Sequence, residues 1–287
     1  KIRMQIKKIN NKIVYESAVK LCVRLFYLSS LNFSNGVQGE NQKLSPTIDE
    51  ENFEIFRNSA KIWWNVNGKY RALHAMNRLR VPFIRDGLIR KYGHGNSSAD
   101  ALKGLKLLDV GCGGGILTEA LASFSADVTG IDPSEELIAI AREHVKENCL
   151  LSQRITYKIE TIEEHSARNQ GKYDAVILSE VIEHVNEQEA FLKLCIDAVK
   201  PGGSIFLSTF NRTPLSYFWG IFLAEDVYKV ILKNTHEWSK FISPQETQRI
   251  FETNDCKVEQ LKGLLYLYSP WNRWVWTNST AVTYIQH

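Results

Sequence analysis

From residue 105 to residue 209 the chain changes its hydrophobic period repeatedly. Short runs rich in β-branched and aliphatic residues, LKLLDVG, DVTGID, ITYKIE, YDAVILS and GSIFLST, are separated by stretches with helical spacing, ILTEALASF, EELIAIAREHVKEN and QEAFLKLCIDAVK. Runs this apolar need cover on both faces, and strand-helix alternation supplies it around a parallel sheet. The predicted fold class is therefore α/β: a doubly wound, mostly parallel sheet with helices on both faces. The terminal stretch SPWNRWVWTNSTAVTYIQH is predicted to form an antiparallel edge hairpin in which Trp274 and Trp276 pack.

Two helices are predicted ahead of this core. One runs through IDEENFEIFRNSAKIWW, where Phe53, Phe56, Ala60 and Trp63 or Trp64 recur at three- and four-residue spacing; the other runs through MNRLRVPFIRDGLIRKY. The stretch GHGNSSADALKG reads as a loop leading into the core. The chain thus divides into a basic segment 1–46, a helical segment 47–98, and a domain 99–287 that carries an apolar insertion at about 214–240. Segment 1–46 holds eight Lys or Arg against Glu16 and Glu40, the make-up of a mitochondrial transit peptide or of a basic tail.

Composition narrows the function classes. The 287 residues are 44% hydrophobic and 23% charged, as in globular proteins, and a net charge of +3 leaves no electrostatic footprint for nucleic acid. The five cysteines, Cys22, Cys112, Cys149, Cys195 and Cys256, form no CxxC pair, so neither a disulfide framework nor a thiolate zinc site is expected. No apolar stretch reaches the roughly 20 residues that a spanning helix needs, so any membrane contact is predicted to be peripheral.

LLDVGCGGGI places Gly111, Gly113, Gly114 and Gly115 between a strand and a helix, where backbone amides can approach a ligand. Ile116 and Thr118 stand where the GxGxxG dinucleotide fingerprint needs glycine, and no GK[ST] follows, which argues against NAD, FAD and nucleoside triphosphates. What remains is Asp109 in a D-x-G-x-G-x-G turn, followed by Asp132 at the next strand end, an acid placed to accept both hydroxyls of a ribose.

Farther on, SEVIEHV sets Glu180, Glu183 and His184 at i, i+3 and i+4, on one face of a predicted helix at the ligand-binding end of a parallel strand. Three readings fit these residues. They could hold a divalent cation, with Mg²⁺ favoured and Zn²⁺ or Mn²⁺ as alternatives. His184 could act as general base, with His236 of THEW as a second candidate. The acids could merely favour a helix N-terminus. For His74, packing or capping is expected. The insertion PLSYFWGIFLAEDVYKVILK could be a lid, a prenyl tunnel, a helix on a bilayer surface, or core.

The glycine turn, Asp132 and the turn KPGG before GSIFLST resemble the class I S-adenosylmethionine-dependent methyltransferases. That resemblance places Thr161 and Ile162 beside the adenine. WWNVNGKYRALHAMNRLRVPFI, DVGCGGGILTEALA, SEVIEHV, KPGGSIFLSTFNRT, THEWSKFISP and YIQH resemble, in order, the ubiquinone biosynthesis O-methyltransferase family in its mitochondrial form, from about residue 52 to the C-terminus. The resemblance implies methylation of ring hydroxyls on polyprenylated catechol and quinol intermediates, a dihydroxy-polyprenylbenzoate and demethylubiquinol. It puts the S-adenosylmethionine contacts on Arg80, Gly111, Asp132 and Ser179, and the metal ligands on Glu180, Glu183 and His184. It also implies peripheral attachment to the matrix side of the mitochondrial inner membrane, near other coenzyme Q biosynthesis proteins. Two departures concern the substrate wall: Glu237 stands where Asp is usual, and GLLYLYSPW carries Leu where Met and Asn are usual.

Overall fold

A computed structural model describes residues 47–93 and 98–287. The basic segment 1–46, with its transit-peptide reading, lies outside the described residues. Eight strands form one sheet in the order β3-β2-β1-β4-β5-β8-β6-β7. They are β1 (Lys106–Val110), β2 (Asp127–Asp132), β3 (Ile155–Ile159), β4 (Tyr173–Ser179), β5 (Val199–Phe210), β6 (Leu261–Leu267), β7 (Arg273–Thr277) and β8 (Thr283–Gln286). β1 to β5 are parallel, and β6, β7 and β8 add antiparallel pairs.

The alternation of β4 shows why the chain folds this way. Val176 and Leu178 pack on one face with Leu192 and Phe251, while Ala175 and Ile177 pack on the other with Leu121 and Phe206. Both faces are apolar, so helices must cover both. Strand order reverses between β1 and β4, and at such a switch point the loops leaving the two strands diverge and open a crevice. Helix Ile116–Ala122 follows β1, helix Glu135–Val145 follows β2, and helix Gln188–Ala198 links β4 to β5.

Four local expectations are corrected. The predicted helix through residue 64 stops at Asn58, because the Ser59 hydroxyl donates to the Phe56 carbonyl at 2.9 Å and also pairs with the Tyr70 hydroxyl; a 3₁₀ turn, Ala60–Ile62, follows. The next helix runs Arg71–Tyr92, longer than expected and straight through Pro82, carried by burial of Val81, Phe83, Ile84 and Leu88 against the sheet.

The segment after β4 forms no α-helix. The Glu180 amide extends the strand ladder by donating to the Ser208 carbonyl at 2.9 Å, Glu180 then takes φ +57°, and only a single turn, Ile182–His184, remains. Burial of Ile182 and Val185 in the core drives this turn. Finally, the terminal stretch does not pair with itself: the edge hairpin is β6 with β7, and β8 runs inside the sheet between β5 and β6.

An inserted strand with Tyr284 and Ile285 fully buried stabilises more than an edge strand can. Ile285→Ala should lower unfolding free energy by about 2–5 kcal/mol, a large share of the ~5–15 kcal/mol typical of a folded domain. Urea denaturation followed by circular dichroism measures it, and a loss under about 1 kcal/mol would contradict the internal placement.

Candidate functional site

The crevice at the switch point is a cavity of about 230 Å³, bounded by the loops after β1, β2, β3 and β4, by the N-terminal helices and by the insertion. At one end lies the glycine turn. Gly113 and Gly115 have positive φ, and a Cβ on Gly115 would sit 2.2 Å from the Tyr157 hydroxyl. Both oxygens of Asp132 accept backbone N–H groups at 2.9 Å, from Gly113 and Ser134, which fixes the carboxylate at the cavity wall with lone pairs to spare. Asp109 accepts from the Thr118 hydroxyl at 2.6 Å, bracing the turn from below. Burial pushes both acids up to about 6, against the pull of those hydrogen bonds.

The two tryptophans that helical spacing marks only as apolar positions clasp this turn. Trp63 lies flat on it, so that a Cβ on Gly113 or Gly114 would fall 2.4 Å from a ring carbon. Its indole N–H is buried without a partner and borders the cavity. The Trp64 indole N–H donates to the Gly114 carbonyl at 2.9 Å, and its ring stacks on His144, which Glu119 holds at 2.9 Å. His74 Nε2 meets the Trp63 carbonyl at 2.9 Å.

Arg80 is buried between the two ends of the cavity. Its guanidinium donates to Ser179 Oγ at 2.9 Å and to Asn77 Oδ1 at 2.7 Å; burial lowers its pKa to about 10, and Glu180 and Asp109 oppose that shift. Arg80 thus lines the cavity and is no surface ion pair. Thr161 caps the helix Ile162–Ser166 through a capping box with Glu164, and both Thr161 and Ile162 line the cavity.

At the far end the residues of SEVIEHV separate. Glu180 accepts from Ser208 Oγ at 2.7 Å and lies in the field of Arg80. Glu183, fully buried, accepts from Thr209 at 2.8 Å through one oxygen, while its other oxygen has no partner; His184 Nδ1 has none either. Burial, then the neighbouring Glu180, pushes Glu183 well up, and burial, then His236, holds His184 well down. One donor atom from each of Glu183, His184 and His236 lies within 4.8 Å of the others. A buried carboxylate and two imidazoles brought this close could hold a divalent cation. Phe53, Phe56, Met76, Phe210 and Ile231 make the wall between the two ends apolar.

A family model described as a methyltransferase domain matches residues 74–261. The chain is 43% identical over 244 residues to the mitochondrial ubiquinone biosynthesis O-methyltransferase of Rattus norvegicus, covering 85% of this chain and 70% of that protein. Against the ubiquinone biosynthesis O-methyltransferase of Nitrobacter winogradskyi it is 38% identical over 240 residues, covering 83% and 89%. The chain belongs to the ubiquinone biosynthesis O-methyltransferase family. It spans 64% of the length of the human member, with which it is 42% identical over 239 residues, or 83% of this chain. The fold agrees: magnesium protoporphyrin IX methyltransferase from Synechocystis PCC 6803 with bound SAM superposes with a TM-score of 0.54 at 18% identity, over 86% of this chain and 98% of that one.

For a methyltransferase of this family the cofactor end is suitably built for S-adenosylmethionine. A side-chain-free cradle, an acid with free lone pairs and an unpartnered indole N–H face one space. Ribose hydroxyls donate most strongly to an ionised carboxylate. Asp132→Ala should therefore weaken S-adenosylhomocysteine binding about 10- to 100-fold by calorimetry. In the unaltered protein affinity should fall as pH drops through about 6 and Asp132 takes up its proton. For the empty protein the sign reverses, since a raised carboxyl contributes stability at low pH that is lost as pH rises through about 6. Unchanged binding by the variant would remove Asp132 from the site.

Proposed function

We propose that this protein transfers the methyl group of S-adenosylmethionine to ring hydroxyls of polyprenylated catechol and quinol intermediates of ubiquinone biosynthesis, at the matrix side of the mitochondrial inner membrane. One observation carries the reading: a single cavity joins the glycine cradle and Asp132 at one end to the buried Glu183 and the half-buried His184 at the other. The names of the rat and Nitrobacter relatives supply the pathway, and the rat name supplies the organelle.

S-adenosylmethionine supplies a methyl group on a neutral leaving group, so the demand on the protein lies with the nucleophile and its alignment. Arg80 binds the methionine carboxylate through its guanidinium, with Ser179 keeping the fork in place. Gly111 and Gly113 present backbone, Asp132 holds the ribose, and Thr161 and Ile162 border the adenine. The apolar wall accepts the aromatic ring and excludes water. A divalent cation at Glu183 and His184 would lower the pKa of the ring hydroxyl. His236, whose Nδ1 meets Glu225 at 2.9 Å, favours a second reading, in which its other ring nitrogen takes the hydroxyl proton without a cation.

The insertion suits a lipid surface. No helix among the described residues is long and apolar enough to cross a membrane. The π-helix Tyr217–Val227 leaves Phe222 and Val227 exposed, and the following Tyr228 stacks on Tyr268 beside the exposed turn residue Trp271. Lys229 and Lys233 follow this helix in the chain, both exposed, with Lys233 paired to Asp226 at 3.5 Å, and the exposed rings fit a lipid surface.

The test is transfer of labelled methyl to a short-prenyl demethylubiquinol, in detergent and in anionic liposomes, with and without EDTA. The expected result is a loss of about 10²-fold or more on chelation, restored by divalent cation. A Phe222→Ser, Trp271→Ser double variant should lose rate in liposomes and keep it in detergent. Activity indifferent to EDTA would select the His236 base, equal loss in both media would remove the lipid role, and absence of transfer to any catechol would reject the substrate class.

A further inference from the structure

The insertion contributes a donor that the spacing of SEVIEHV does not foresee. Glu225, on the π-helix and 5% exposed, takes three N–H groups from one turn of chain. Its Oε1 accepts from His236 Nδ1 at 2.9 Å and from the His236 amide at 3.1 Å, and its Oε2 accepts from the Asn234 amide at 2.7 Å. The carboxylate thus fixes both the backbone around His236 and the tautomer of its ring, leaving the Nε2 lone pair for the cavity. Phe210 and Phe241 pack edge-on against the ring at 4.9 and 5.9 Å, and the His184 ring lies 5.4 Å away.

The same cavity end holds two buried atoms without partners, Glu183 Oε1 and His184 Nδ1. Buried polar atoms are rarely left so, and an acid and two histidines whose ligand atoms lie within 4.8 Å of one another can be satisfied together by a shared cation. Glu180 is differently placed. Its backbone has φ +57°, its side chain accepts from Ser208, and the positive charge of Arg80 close by disfavours a dication there.

We propose that His236, oriented by Glu225, is the third protein donor to the cation, in place of Glu180. The inference rests on the cation reading given above and deepens it. One carboxylate and two imidazoles form a softer set than oxygens alone, so the site should prefer Zn²⁺ or Mn²⁺ to Mg²⁺. A carboxylate behind a ligating histidine is the usual outer partner of such a ligand. Because Glu225 and His236 both belong to the insertion, the cation site is complete only when the insertion is seated. Glu225 is then a positioning residue that couples the lipid-facing helix to the chemistry.

The experiment is calorimetric titration of Zn²⁺, Mn²⁺ and Mg²⁺ into the EDTA-stripped full chain and into the variants H236A, H236Q, E225Q and E180Q, each checked for folding by circular dichroism. The unaltered protein should bind one Zn²⁺ or Mn²⁺ more tightly than Mg²⁺. H236A or H236Q should weaken binding by about 100-fold and E225Q by about 10-fold, the range seen when an outer partner is lost. E180Q should stay within about threefold. Binding that survives both His236 variants but collapses in E180Q would overturn the assignment and leave the cation reading intact. Absence of cation binding by the unaltered protein would reject the cation reading itself, and the assignment with it.

Discussion

The guanidinium of Arg80 is the interaction on which the site depends. It is 3% exposed, and its charge is kept by Asp109 on one side and Glu180 on the other. Through Ser179 and Asn77 it ties the long N-terminal helix to the end of β4, and thereby fixes one wall of the cavity. Removing one partner of such a group leaves a buried charge uncompensated, which costs about 3–5 kcal/mol. Held in place, it puts positive potential between the cofactor cradle and the acid end. Under the proposed function that potential would draw the anionic carboxylate of the cofactor and keep a dication to the far side, at Glu183 and His184.

Much of this was legible in the sequence, for identifiable reasons. The parallel strands are apolar on both faces and short, and the glycine turn has no side chains to hide its purpose, so period and composition alone predict the doubly wound sheet and the place of Asp109, Gly111, Gly113 and Asp132. The resemblance to the family added Arg80 and Ser179, which no spacing would select, because they meet across 99 residues of chain. The geometry of 179–185 was not legible. An i, i+3, i+4 pattern puts three side chains together only if the helix forms, and burial of Ile182 and Val185 turns the backbone otherwise. For the same reason β8 was misplaced: local pattern marks a strand without naming its neighbours.

Long-range placement also explains the residues that reading missed. Trp63 and Trp64 look like core positions of a helix, yet the helix ends before them and their rings close over the glycine turn. Glu225 sits among apolar residues of the insertion, a position where an acid is costly unless it is fully bonded, and the three N–H groups it accepts supply that bonding. A buried acid in an apolar helix, followed eleven residues later by histidine, was the available signal. The strap formed by residues 47–49 adds a further closure. Ile48 bridges Val185, the Asn186 amide donates to the Thr47 carbonyl at 3.0 Å, and Asp49 pairs with Lys240, so the cover lies over the acid end as well as over the cradle.

The account stands on one cavity serving both reactants, with methyl donor and ring hydroxyl at opposite ends. Its most direct test is a crystal structure with S-adenosylhomocysteine and a short-prenyl catechol, grown with Mn²⁺ and recorded for anomalous scattering. The account predicts the ribose on Asp132, the amino-acid carboxylate on Arg80, and the anomalous peak beside Glu183 and His184 with a catechol oxygen directed at the sulfur. A catechol bound outside this cavity, or with its oxygens turned away from the sulfur, would contradict it.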